Sequence, residues 1–448
     1  MSLTETDLTS EALRPGDDGY DDAARVFFAD GRPALVVRPR DPDEVAEALG
    51  HATRHGLAVA VRSGGHSALG HGTNTDGMVI DLVHLDGVEL LDLERRLVRV
   101  GGGARWGHVA ATLQPHGLGL TSGDTKDVGV GGLTLGGGMG WMVRKHGLAI
   151  DNLVGARLVT ADGRLVTASA EENADLFWAL RGGGGNFGVV VDLDFVAQPV
   201  ASVHYGSVAY QLDNVADLVR RWRTAMRVAP EQLSSTLALL PPIPDTPRQA
   251  MLLLCYAGDP GTPVSEADAA IEPLLELGTV REASITERPY AEVLEEAQHL
   301  PPGLRLLVRN TLVPVLDDEV VEAIATLHGS VPAAIALRSL GGAVARVPAT
   351  ATAFAHRDAE AMVLAGFVVP EQLGPQAAEG PLAAWRPLAA LGTGCYLNFQ
   401  GSATPEDLAA AYPSATYARL AEVKGAWDPD NVFALNHNIE PHQGVVLR

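Results

Sequence analysis

Residues 173–195 read NADLFWALRGGGGNFGVVVDLDF, and from Gly183 to Gly188 the letters fit the dinucleotide pattern G-x-G-x-x-G. The context reverses that pattern. A Rossmann fingerprint follows a strand and opens a helix, so that the pyrophosphate meets a helix N-terminus. Here a helical pattern over Asn173–Leu180 precedes the glycines, and a strand pattern over Val189–Phe195 follows them. The hexamer therefore argues against a Rossmann sheet, and no Walker A motif stands elsewhere. The alternative is a cradle of backbone N–H groups, which tight turns line up into an anion-binding nest. Arg62-Ser63-Gly64-Gly65-His66-Ser67 and Gly129–Gly140 suit it, the glycines by removing side chains and Arg62 by adding a cation. Two cradles imply a long ligand with a central diphosphate; tight turns or sheet crossings are the competing reading of the same glycines.

Glycine is in surplus, 49 of 448 residues, and fourteen of these fall between Gly101 and Gly140. A hydrophobic content of 46% with 20% charged residues excludes global disorder. The length suits two to three domains. A net charge of −22 speaks against nucleic acid or an anionic membrane as partner. Two cysteines, Cys255 and Cys395, make neither a disulfide framework nor a metal knuckle, so no metal is expected. The opening MSLTETDLTS has no basic and apolar signal regions, and no uncharged run is long enough to span a bilayer; a cytoplasmic protein is expected.

Local signals give the element order. Asp41-Pro42-Asp43-Glu44 reads as a helix start, with Asp41 as cap, Glu44 completing a capping box and Gly56 as stop. Strands are expected at Leu57–Val61, Met78–Leu82 and Leu97–Val100, and a hairpin around Asp162-Gly163. Texture changes near Gln198-Pro199: glycine thins, and helices near 213–227, 264–276 and 317–328 alternate with strands. The last forty-odd residues become polar and motif-like again.

Taken together, VRSGGHS (61–67), DVGVGGLTLGGGMGWMVRKHGLAIDNL (127–153), ENADLFWALRGGGGNFGVV (172–190), YLNF (396–399) and YARLAEVKGAWDPDNVFALNHNI (417–439) resemble the FAD-binding PCMH-type flavoproteins of the vanillyl-alcohol-oxidase superfamily. The nearest branch is the berberine-bridge-enzyme-like oxidases, including the bacterial 6-hydroxy-D-nicotine oxidase type. The resemblance implies an α+β fold: a two-part FAD-binding domain with an inserted α+β substrate domain, an antiparallel sheet covered by helices. Residues 1–20 read as a flexible leader, and the texture change together with the resemblance sets the FAD domain at 21–198, the substrate domain at 199–400 and a returning segment at 401–448. Arg62, Ser63, Gly64, Gly65, His66 and Ser67 match the loop around the FAD diphosphate, and His66 sits where many members attach the flavin 8α-methyl group. Thr121, Gly123, Val128, Gly129, Gly131, Gly132, Thr134, Gly136, Gly137, Gly138 and Gly140 are further expected cofactor positions. Trp141 joins them, although its bulk also suits packing of that domain. Gly188 and Val189 match contacts near the adenine, and Asn436 and Asn438 match the tail folding back to the flavin. Bicovalent members carry a cysteine where this chain has Thr125, so the expectation is one covalent bond, through His66. Val128 matches a small residue associated with oxygen access.

By the same resemblance Tyr396 of YLNF is the candidate base. A tyrosine starts near a pKa of about 10, so a neighbouring Arg or hydrogen bonds must lower it for work near neutral pH. Asn398, two residues on, is expected on the same strand face as an orienting group. His356 and Arg357 stand in a stretch that also recurs in this branch and could line the domain interface near the flavin; a structural role is the favoured expectation for them, and Asp428-Pro429-Asp430-Asn431 is expected to be a structural turn. The implied function is oxidation of an alcohol, hemiacetal or amine in a small molecule, a natural product or a sugar, with O₂ as acceptor. A dehydrogenase with another acceptor, or a flavin-containing binding protein without turnover, are the rival readings.

Overall fold

The structure, a computed structural model, describes residues 8–200, 202–242 and 248–442. Residues 1–7 of the expected leader lie outside them; the remainder of it is ordered. Glu11–Leu13 pairs antiparallel with Leu35–Arg38, and the Tyr20 hydroxyl, at the head of the helix Tyr20–Ala24, donates to the Pro33 carbonyl at 2.6 Å. Leu8, Ala12 and Leu13 reach the core below, which is why this segment is tied down.

Leu35–Arg38, Met78–Asp81 and Val59–Arg62 run parallel in the four-stranded sheet that Glu11–Leu13 edges. The helix Pro42–His55 covers them. Asp41 caps it by accepting from Glu44 N at 2.9 Å, and Gly56 ends it at φ 63°. Glu44 does not close the expected box; its carboxylate accepts from Arg40 N at 2.8 Å and Ser10 Oγ at 3.0 Å.

A second, five-stranded sheet is antiparallel, ordered Leu165–Ser169, Leu153–Val159, Val189–Val196, Leu97–Gly101, Val88–Asp92. Its Asp-Gly hairpin pairs Val159 with Leu165. The glycine-rich run 182–188 links the helix Ala174–Leu180 to the strand Val189–Val196, the reverse of a Rossmann entry. Gly101, Gly102 and Gly103 leave room for the carbonyls of Leu85, Val190 and Leu82, so this triplet serves a backbone crossing.

The inserted unit is a seven-stranded antiparallel sheet over residues 202–370. One face packs under the helices Val215–Val228, Val264–Leu275, Asp318–Ser330 and Glu379–Ala389 through Leu237, Leu252, Ile335, Val363 and Phe367. The other face looks back at the first two sheets' side of the chain, where Tyr205 and Cys255 meet Trp141.

The tail returns to the first unit. Leu420, Ala421 and Val423 of the helix Ser414–Trp427 share a core with Leu176 and Phe177. At its end the fully buried Lys424 ammonium donates to Asp428 Oδ2 at 2.6 Å, Asn186 O at 2.8 Å and Phe433 O at 3.1 Å. Asp428 accepts from Val432 N and Phe433 N at 2.8 and 2.9 Å, which makes the Asp-Pro-Asp-Asn turn. No helix among the described residues is long and apolar enough to cross a membrane.

Candidate active site

Tyr396 does not lie on a strand. It precedes a 3₁₀ turn, Leu397–Phe399, because Asn310 from the strand Leu304–Val313 takes over its backbone hydrogen bonds. Asn310 Oδ1 accepts from Tyr396 N at 2.7 Å, and its Nδ2 donates to the carbonyls of Tyr396 and Phe399 at 2.9 and 3.0 Å. The turn still brings Asn398 to the tyrosine. Asn398 Nδ2 donates to Tyr396 Oη at 2.7 Å and to Leu133 O at 2.9 Å, and Gly138 N donates to Tyr396 Oη at 2.9 Å. A side chain at Gly136 would strike the Asn398 amide, and one at Gly137 would crowd the Tyr396 ring. Those two glycines therefore admit the Tyr396–Asn398 pair.

With two N–H donors on its oxygen, the phenol must direct its own proton elsewhere. Burial nevertheless pushes the hydroxyl up to about 12, against the pull of Gly138 N–H, Asn398 and the Arg338 charge. The expected downward shift is not met: desolvation outweighs the donors. Arg338 is the arginine in question. It is ion-paired with Asp124, donates to Met139 O at 3.1 Å and lies over the Phe399 ring. Burial alone would raise the Asp124 carboxyl; Arg338 holds it below the ordinary range instead.

Tyr396 and Asn398 stand at one cavity of about 560 Å³ that reaches from the 62–67 loop past Gly182–Gly188 to Asn436. Ser63, Gly64, Gly65, His66, Ser67, Gly123, Val128, Gly129, Gly131, Gly132, Gly136 and Gly188 all line it. The two expected cradles meet backbone to backbone, since a Cβ on Gly64 would strike Gly129 N and a Cβ on Gly129 would strike Gly64 N. Asn436 Oδ1 and His437 Nε2, also on the wall, are buried without a partner, so the cavity offers polar atoms that a ligand would satisfy. These features fit a long polar cofactor held by backbone and tail.

Several expected positions are placed differently. Arg62 reaches the wall, but its guanidinium is spent on Asp81 at 2.6 Å and on the carbonyls of Ala23 and Arg25 at 2.6 and 3.2 Å. No free cation from Arg62 is left for a diphosphate. Thr121, Thr134, Gly137, Gly138, Gly140, Trp141, Val189 and Asn438 are off the wall. Thr121 Oγ donates to Gly147 O at 3.1 Å, and Gly140 abuts Ser122 O. Trp141 packs with Tyr205 and Tyr290, and Val189 faces the core while Gly188 and Val190 face the cavity, by strand alternation. His356 and Arg357 are structural: His356 Nε2 lies 3.0 Å from Ala410 O, and Arg357 holds Asp151 at 2.8 and 2.9 Å.

His66 stacks on Phe27 at 4.7 Å, and Phe27 also stacks on His299 at 4.2 Å. Burial lowers the His66 pKa, with the Arg105 charge adding to it, so the ring is neutral near pH 7. Thr125 is on the same wall, whereas Cys255 and Cys395 are buried away from it. Phe27, Asp124, Asn310 and Arg338 escaped sequence reading. Only Asn310, a carboxamide in the apolar strand LRLLVRNTLV, carried any signal. Among the described residues no cluster of His, Cys, Asp or Glu suits a metal ion.

Residues 33–169 match the FAD binding domain family and residues 395–440 the berberine and berberine-like family. Over 98% of both chains the protein is 30% identical to the (R)-6-hydroxynicotine oxidase of Paenarthrobacter nicotinovorans. The crystal structure of 6-hydroxy-D-nicotine oxidase from Arthrobacter nicotinovorans superposes with a TM-score of 0.86 at 29% identity, over 99% of this chain and 100% of that one. A glucooligosaccharide oxidase of Acremonium strictum with 6-S-cysteinyl, 8α-N1-histidyl FAD superposes with a TM-score of 0.83 at 25% identity, over 96% and 97% of the two chains. Glycine cradle, Tyr–Asn pair and returning tail thus sit in a chain that belongs to the berberine-bridge-enzyme-like family of FAD-dependent oxidoreductases.

Proposed function

We propose that this protein is an oxidase that takes a hydride from an alcohol, hemiacetal or amine carbon of a natural product or sugar, with O₂ as acceptor giving H₂O₂. The observation that carries the reading is the Tyr396 hydroxyl, fixed at the cavity by Gly138 N–H and the Asn398 amide. Held by the backbone of residues 63–67 and 129–132 and by the tail at Asn436, FAD would supply the redox chemistry, as a hydride acceptor that O₂ can reoxidise. The chain supplies geometry and the proton path. An alcohol that loses its C–H as hydride loses its O–H as a proton, and Tyr396 would accept that proton as the phenolate, the form that Gly138 N–H and the Asn398 amide favour, while the substrate becomes a carbonyl.

One covalent attachment, through His66, is the second element of the proposal. A nucleophilic ring nitrogen needs its lone pair, and burial keeps the His66 imidazole neutral. Stacking on Phe27 limits its rotation. Thr125 offers no thiol for a second link. The small Val128 on the wall supports oxygen access.

Two measurements test this. Anaerobically reduced enzyme mixed with air-saturated buffer should reoxidise within seconds and release one H₂O₂ per flavin; reoxidation over many minutes would make the protein a dehydrogenase. Acid-precipitated protein should remain yellow, and His66→Ala should release its colour to the supernatant.

A further inference from the structure

Among the described residues the inserted sheet lines the cavity with aliphatic side chains, Leu306, Val308 and Leu364, while Asn310 and Arg338 of the same face lie off the wall. Strand alternation puts Leu306, Val308 and Asn310 on one face of Leu304–Val313. Cross-strand pairing of Asn310 with Leu364 and of Val308 with Gly366 extends that face onto the strand Ala361–Pro370. Leu306, Val308 and Leu364 all line the cavity. Asn310 closes the row by holding the backbone of Tyr396, so the aliphatic strip runs directly up to the candidate base. Gly366 carries no side chain beside Val308, and the nearest atom a Cβ there would meet is the Leu306 methyl at 3.3 Å. The Leu306 side chain therefore covers that position, and the strip is continuous.

The charges on the wall are all accounted for. Asp124 is paired with Arg338, and Arg62 with Asp81. His66, His71 and His437 are kept neutral by burial, His71 down to about 4. Gln400, also on the wall, donates to Asp407 at 2.5 Å. A sugar would leave its hydroxyls facing Leu306, Val308 and Leu364 without partners, and an ammonium ion would find no carboxylate free to pair with it.

We infer that the substrate is an uncharged, predominantly apolar alcohol whose hydrocarbon body lies along Leu306, Val308 and Leu364 with its carbinol at Tyr396. This rests on the proposed oxidase reading and narrows it, since neither an oligosaccharide nor a cationic amine suits the strip.

Holoenzyme is titrated anaerobically with straight-chain primary alcohols and arylalkanols, with glucose and cellobiose, and with alkylammonium ions; flavin bleaching is followed. The methyl ethers of the same alcohols, which have no hydroxyl proton to lose, are titrated in parallel, and binding is read as a perturbation of the flavin absorbance. Each added CH₂ should tighten binding about fourfold, and sugars and ammonium ions should bind at least a hundredfold more weakly than the best alcohol. Leu306→Ala and Leu364→Ala should each weaken the longest ligands about tenfold while leaving the flavin spectrum unchanged. Affinity independent of chain length, tighter binding of a sugar or an ammonium ion, or binding of neither class overturns the inference. Ether binding that follows chain length, with no alcohol bleaching the flavin, upholds the apolar site and overturns the oxidase reading alone.

Discussion

Tyr396 combines two opposed influences. Gly138 N–H and the Asn398 amide favour its phenolate, while full burial favours the phenol and wins, leaving the hydroxyl near 12. Well below that pKa the phenolate fraction grows tenfold for each pH unit. If Tyr396 takes the substrate proton as phenolate, kcat/KM should therefore climb about tenfold per unit between pH 7 and 10. A plateau reached below pH 8 would assign the proton to another group. Tyr396→Phe keeps the ring and deletes only the oxygen. It should lower kcat by about 10²–10⁴-fold with the flavin still bound, checked by single-turnover flavin reduction. Its backbone position, held by Asn310, is untouched by that change.

At the scale of elements, the helix Ser414–Trp427 is tied to the glycine-rich run 182–188 by Lys424, whose ammonium donates to Asn186 O and pairs with Asp428. Lys424 and Asp428 have 0% exposure, and each also bonds backbone: Asn186 O on one side, Val432 N and Phe433 N on the other. Lys424→Ala leaves the Asp428 carboxylate buried and uncompensated, and should cost roughly 3–5 kcal/mol by urea denaturation. Replacing both, Lys424→Met with Asp428→Leu, should recover part of this. The same ties position Asn436 at the cavity wall, so the single variant should also bind flavin less tightly.

For the whole molecule, the decisive contact is between loops far apart in the chain. Gly64 and Gly129 touch through their backbones, joining the parallel-sheet lobe to the glycine-rich helix Val130–Gly136. Gly129→Ala puts a methyl group against Gly64 N, so one loop must move. The expected result is protein that purifies largely without flavin yet keeps its far-ultraviolet circular dichroism, because neither sheet depends on that contact. Full flavin content at wild-type melting temperature would show that the cradle yields more easily than its backbone contact suggests.

Local sequence determined what local physics controls. Asp41 and Gly56 bounded a helix because a cap and a left-handed stop act within one turn. The Asp-Gly hairpin followed from turn chemistry, and the hexamer at 183–188 was legible as a non-Rossmann turn from its neighbours alone. The cofactor class was legible because the glycine loops are contiguous in sequence. Tertiary structure decided everything that depends on partners distant in the chain. Arg62 is a cation by its letter, but Asp81 and two carbonyls consume it. The residues 396–399 are strand-like in pattern and become a 3₁₀ turn because Asn310, 86 residues away, accepts and donates their backbone hydrogen bonds. Arg338, on a strand of the seven-stranded sheet, and Asp124 meet 214 residues apart in the chain, and Leu306, Val308 and Leu364 become one wall only through sheet register. Burial and pairing are properties of the assembled chain, and they set both the tyrosine's proton affinity and the character of the surface a substrate meets.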